Sequence, residues 1–153
     1  LAAAEAAEAG GGLDEAVSAA EKRAAGTSAY FYVDTLDYLR RGGRIGTAQA
    51  LLGSALAVKP ILELDGGRIE MLEKVRTASK AIARLEEIVA ERAGTAPVDI
   101  AVHHLAAQER ADRLAERLRE RVPGLVDLHV SEVGAVIGAH TGPGLLGAVI
   151  SSR

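Results

Sequence analysis

Two short segments hold residue types that could bind an anionic oxygen. His140-Thr141-Gly142-Pro143-Gly144 combines an imidazole, a hydroxyl and glycine-flanked backbone amides, a set suited to a carboxylate or phosphate. The same segment also reads as a simple turn into a strand, with His140 an ordinary hydrogen-bonding residue. Gly42-Gly43-Arg44-Ile45-Gly46 sits between two helical stretches. It reads either as a helix stop and turn with an exposed Arg44, or as a backbone nest beside a helix N-terminus with a guanidinium ready for an anion.

Other chemistry finds little support. His103 and His104 are adjacent, so on a strand they face opposite ways and cannot share a metal ion. His129 alternates with Leu128 and Val130 onto a polar face. The chain has no cysteine, no His-Glu-x-x-His pair and no Asp/Glu/His cluster, so no metal is expected. A Gly-x-Ser-x-Gly elbow and a Gly-Lys-Ser/Thr phosphate loop are both missing, which leaves neither a serine hydrolase nor a Walker-type nucleotide site. The expectation is a binding protein rather than an enzyme, without cofactor. Gly43-Arg44-Ile45-Gly46 between helices also mimics the loop of KH RNA-binding domains, but a net charge of −3 and the lack of a basic stripe argue against nucleic acid.

These residues must be positioned by a fold of 153 residues, enough for one well-buried core. Apolar residues make up 48% of the chain but aromatics only 3%, so the core is built from Ala, Leu, Ile and Val. Ala/Glu-rich Leu1–Ala9 reads as a short helix stopped by three glycines, and Leu13 to Gly26 as a second. Tyr30–Val33 reads as a strand, Leu36–Arg41 as a helix ended by Gly42-Gly43, and Thr47–Leu56 as a further helix. Pro60–Leu64, Asp65-Gly66-Gly67 and Arg68–Val75 form a hairpin signal. Thr77 can cap a helix whose stripe is Ala78, Ile82, Leu85, Val89 and Ala93; a second stripe is Ala107, Ala111, Leu114, Leu118 and Val122. Val98–Val102 and Val126–Val130 alternate as strands, Val133–Ala139 reads as a helix, His140–Gly144 as a loop and Gly147–Ser151 as a last strand.

The pattern predicts an α/β fold: a mixed sheet of about six strands with the two long helices on one face. No apolar run reaches the ~20 residues of a membrane span, and the most tempting stretch, Leu51 to Leu64, is broken by Lys59 and Pro60. The absence of cysteine fits a cytoplasmic location. Leu1 in place of Met suggests a piece of a longer chain.

Several segments together resemble the DegV family. They are Tyr30-Phe31-Tyr32-Val33-Asp34-Thr35-Leu36-Asp37-Tyr38-Leu39, Gly42-Gly43-Arg44-Ile45-Gly46, Lys59-Pro60-Ile61-Leu62, Lys74-Val75-Arg76-Thr77 and Gly138-Ala139-His140-Thr141-Gly142-Pro143-Gly144, in matching order. The resemblance implies a bacterial two-domain protein, with residues 1–26 trailing from the first domain and 27–153 forming the C-terminal lipid-binding domain. It implies a long-chain fatty acid as ligand, held in a tunnel with its carboxylate presented to a separate ATP-dependent fatty acid kinase. By position, His140, with Thr141 and Gly142, would lie at the carboxylate, and Arg44 at the head group or the kinase-docking surface. The family's N-terminal Thr-Ser and Ser-Gly loops, which would complete the head-group site, are not in this chain. Leu51, Leu52, Leu56 and Ile61 gather apolar surface near the glycine-arginine loop and are the expected acyl-tail lining. A second reading is a phosphate-binding phosphotransfer module related to dihydroxyacetone kinases.

Overall fold

Period-two alternation builds the sheet. In the computed structural model, which describes residues 1–51 and 58–153, six strands form: β1 (Thr27–Tyr32), β2 (Lys59–Asp65), β3 (Arg68–Val75), β4 (Val98–His104), β5 (Leu125–Glu132) and β6 (Leu146–Ser152). Their spatial order is β3-β2-β1-β6-β4-β5. Every neighbouring pair is antiparallel except β4 and β5. The β2–β3 hairpin closes on Gly66-Gly67 at φ +53° and +77°, the paired positive angles that match the strand twist.

Among the described residues six α-helices accompany the strands: α1 (Ala2–Glu8), α2 (Leu13–Ala25), α3 (Asp37–Arg41), α4 (Ala78–Ala93), α5 (Gln108–Arg121) and α6 (Ala135–Thr141). Thr77 caps α4, its hydroxyl accepting from the Lys80 amide at 3.3 Å. α5 is the crossover that a parallel β4–β5 pair requires. Leu85, Ile88 and Val89 of α4 and Leu114 and Leu118 of α5 join Tyr30, Tyr32, Ile100, Val102 and Ile150 in a single core. Both long helices therefore lie on one sheet face, as their stripes predict. Between them Glu86, 5% exposed, receives Arg121 at 2.7 Å and Arg117 at 3.3 Å. The α1–α2 hairpin buries no residue of its own and leaves Leu13 80% exposed; Arg23 ties it to the sheet through Ser152 and Asp99.

Two expectations change. The helix predicted over Thr47–Leu56 is a short 3-10 turn, Gly46–Leu51, and residues 52–57 lie outside the described set. His140 and Thr141 occupy the last turn of α6 rather than a loop. Gly138 does not stop the helix; Gly142 does, at φ +74°, after the Thr141 hydroxyl has bonded back to the Ile137 carbonyl. Among the described residues no helix is long and apolar enough to cross a membrane.

The helix-side core sets stability. Leu118, fully buried between α5 and the sheet, should cost about 2–5 kcal/mol as Leu118→Ala, whereas Thr77→Ala should cost only about 1 kcal/mol. Urea unfolding of both variants checks the ranking; equal losses would contradict it.

Candidate functional site: an apolar cleft on the other sheet face

β1, β2 and β6 carry apolar residues on both sides, whereas the second face of β4 and β5 bears Asp99, His103, Asp127 and His129. Tyr30 and Tyr32 of β1 face the long helices, so Ala29 and Phe31 face the opposite way; on β6, Ala148 and Ile150 face the helices and Gly147 and Val149 do not. On that second face, among the described residues, only short elements pack, with Val33, Leu39, Ile45, Ala48, Leu62 and Leu145 forming a smaller core at one end. The remainder is a cleft of about 580 Å3. Its floor is Ala29, Phe31, Leu64 and Val149; α6 walls one side with Val136 and Ile137, and Leu39, Arg44 and Ile69 also line it. Leu64 is 52% exposed, Ile137 52% and Val136 80%, so apolar side chains stand open to solvent around one concavity. Gly147 lies between Phe31 and His103 in the register and keeps the floor low, since a Cβ there would approach Phe31 Cβ to 2.9 Å.

Polar groups sit at separate places on this cleft. His140 lines it from the last turn of α6, with its ring against Gly42. Nδ1 is enclosed and has no hydrogen-bond partner among the described residues. Arg44 is exposed at the cleft, and its Nη1 donates to the Gly42 carbonyl at 2.8 Å, a cation at the C-terminal end of α3. His103 reaches the cleft from β4, its Nδ1 3.0 Å from Ser131 Oγ. His104 is buried on the opposite face, as adjacency predicts.

The glycine-rich loops are not open nests. The Gly42, Gly43 and Arg44 amides donate to the carbonyls of Tyr38, Arg40 and Leu39, closing the C-terminus of α3. Gly142 and Gly144 donate to Gly138 and Leu105. Thr141 is 6% exposed and its hydroxyl donates to Ile137 O at 3.0 Å. At the same sheet end, the Tyr32 hydroxyl donates to Asp34, which faces Arg110 at 3.6 Å; burial first, and then the Asp34 bond and charge, hold that phenol well above its ordinary range. Among the described residues no three His, Asp or Glu side chains gather as a metal site.

The model for "uncharacterised protein, DegV family" matches residues 1–153. The chain belongs to the DegV family. A DegV domain-containing protein of Streptomyces coelicolor is 86% identical across the whole chain, which covers 54% of that protein. Protein DegV of Bacillus subtilis is 47% identical over 120 residues, 78% of this chain and 42% of that protein. Two solved structures share the fold: a fatty acid binding DegV family protein from Streptococcus agalactiae, with TM-score 0.89, 32% identity and coverage of 99% of this chain and 54% of that one, and a fatty-acid-binding DegV family protein from Thermus thermophilus, with TM-score 0.90, 32% identity and the same coverages. The chain thus spans about half the length of these relatives.

The structure brings His140, Arg44 and Thr141, the last residue of α6, to the one cleft, with Gly142 just beyond. Ile61 is fully buried in the core on the long-helix side, facing away from the cleft, because β2 alternates there. Leu52 and Leu56 lie outside the described residues, as does the side chain of Leu51. Sequence reasoning missed Ala29, Phe31, Val149 and Ile137. The available signal was a pair of strands apolar on both faces in a chain with only two long amphipathic helices.

Half-buried His103 carries a pH signature. Burial, and then the neighbouring charge of His104, lower its pKa below the ordinary 6.5. The unfolded chain therefore binds its proton first, so this contribution to stability is complete above pH 6.5 and is lost as pH falls below it. His103→Gln should flatten that acid-side fall in melting temperature; an unchanged slope would contradict the assignment.

Proposed function

We propose that this chain is the acyl-binding half of a fatty-acid-binding protein, with residues 27–153 as the lipid-binding domain and residues 1–26 as helices belonging to the preceding one. The observation that carries the reading is the apolar cleft on the sheet face without long helices, with an imidazole and a guanidinium beside it. A flexible acyl tail suits aliphatic walls of this kind, which offer dispersion contact and remove apolar surface from water without demanding a fixed shape. Leu64, Ile69, Ile137 and Val149, rather than Ile61, take the tail.

His140 binds the carboxylate. In the neutral ring an N–H at Nε2 donates to the anionic oxygen, a charge-assisted bond. Further donors come from the rest of the protein, which relatives of about twice this length contain. The assembly binds and presents rather than catalyses: the carboxylate stays at the cleft mouth for phosphorylation by a separate ATP-dependent kinase, and exposed Arg44 serves that docking surface. The solved relatives described as fatty acid binding support the ligand class. The phosphotransfer alternative is weakened by the loop amides, which donate to carbonyls and leave no cradle for a phosphate.

Palmitate titration of the full-length protein tests the head group. His140→Ala removes one hydrogen bond to a charged group, about 1.5–3 kcal/mol, and should weaken palmitate about ten- to hundred-fold while changing methyl palmitate far less. Unaltered palmitate affinity would place the head group elsewhere. Arg44→Ala should leave the melting temperature nearly unchanged and reduce phosphorylation of the bound acid by the kinase; wild-type phosphorylation would remove Arg44 from the docking surface.

A further inference from the structure

The two motifs form one interlock, and glycine makes each of its three contacts possible. A Cβ on Gly144 would overlap the Asp34 carboxylate; one on Gly142 would overlap the Tyr38 ring; one on Gly42 would overlap His140 Nδ1 and lie 2.8 Å from Cε1. Asp34 precedes α3, Tyr38 lies within it and Gly42 follows it, while 144, 142 and 140 run past them in the opposite direction. The first two glycines also have φ of +86° and +74°, angles that favour glycine on their own account.

Gly42 is different. Its φ of −78° and ψ of −4° lie in the right-handed helical region, which any residue adopts. Nothing in the backbone calls for glycine there. Gly43 is the converse: φ is +66°, and a Cβ would meet nothing within 4 Å. Gly42 is therefore glycine because of the His140 ring.

We infer that Gly42 is a positioning residue for His140, setting which ring nitrogen faces the cleft. The ring lies flush on the end of α3, with Nδ1 enclosed and without a partner among the described residues. Placing the neutral ring's proton on Nε2 leaves no N–H buried against Gly42 without an acceptor, and it directs the N–H donor to the cleft. An imidazole is planar and rigid, so a methyl group at residue 42 can be accommodated only by turning the ring about its side-chain bonds or by moving the end of α6. Either change re-aims Nε2. Gly42 touches no ligand itself; it acts through His140. This deepens the head-group reading given above and rests on it.

The test is a double-mutant cycle in the full-length protein, read by palmitate titration, by the imidazole nitrogen signals of His140 and by melting temperature. Gly42→Ala should shift the His140 ring signals and weaken palmitate about ten-fold or more. In the His140→Ala background the same substitution should weaken palmitate no further, because the ring it displaces is gone. Should Gly42→Ala fail to fold, the double variant should fold and melt near His140→Ala, since alanine suits a helical φ and ψ better than glycine. Unmoved ring signals, fully additive affinity losses, or a double variant as unstable as Gly42→Ala would each overturn the inference. If His140→Ala leaves palmitate affinity unchanged, the head-group reading fails, and the ring signals of Gly42→Ala still decide whether Gly42 positions the ring.

Discussion

Strands β1, β2 and β6 are apolar on both faces and must bury both, and among the described residues long amphipathic helices cover only one. α4 and α5 seal the side carrying Tyr30, Tyr32, Ile100 and Val102. On the reverse, the 3-10 turn, α3 and α6 cover one end and leave Leu64, Ile137 and Val136 in water. Hydrophobic surface open to this extent around one concavity is unfavourable for a free domain unless something occupies or covers it. The rest of the structure follows from that asymmetry: the rigid side fixes the strands, and the strands hold the open side in shape.

The open side is framed by small elements, and close backbone approach holds them in place. α3 and α6 present few side chains that could anchor them through a core. Glycine lets Asp34, Tyr38 and Gly42 meet the 140–144 segment closely instead. The polar network at the same end, Tyr32 to Asp34 to Arg110, joins this frame to the first turn of α5. The Lys59 ammonium adds β2 by donating to the Asp34 carbonyl at 2.7 Å. The cleft mouth is thereby connected to the helix-side core through hydrogen bonds as well as through the strands.

Much of this was legible in the residues. The Thr77 cap, the stripes of α4 and α5 and the Asp65-Gly66-Gly67 turn are local signals with local causes, and each element forms where its signal lies. The end of α6 was placed two residues early because His140-Thr141-Gly142-Pro143-Gly144 reads as one glycine-rich loop, whereas the helix continues through Thr141 to the positive φ of Gly142. Ile61 was assigned to the tail lining from its neighbourhood in the chain. Which face of β2 it takes depends on pairing with β1 at Tyr32, a contact 29 residues away that no local pattern reports. The role of Gly42 was hidden for a similar reason: its backbone angles are ordinary, and only the distant His140 ring explains the residue. Strand order, with β6 between β1 and β4, is likewise a property of long-range pairing.

The central claim is that an acyl chain lies on the sheet face opposite α4 and α5. Methyl spectra of the full-length protein, labelled at Ile, Leu and Val and titrated with palmitate, test it directly. The account predicts saturable shifts at Leu64, Ile69, Ile137 and Val149, with Leu85, Val89 and Leu118 nearly still. Shifts concentrated on the α4–α5 side, or a cleft left unmoved at saturating palmitate, would contradict it.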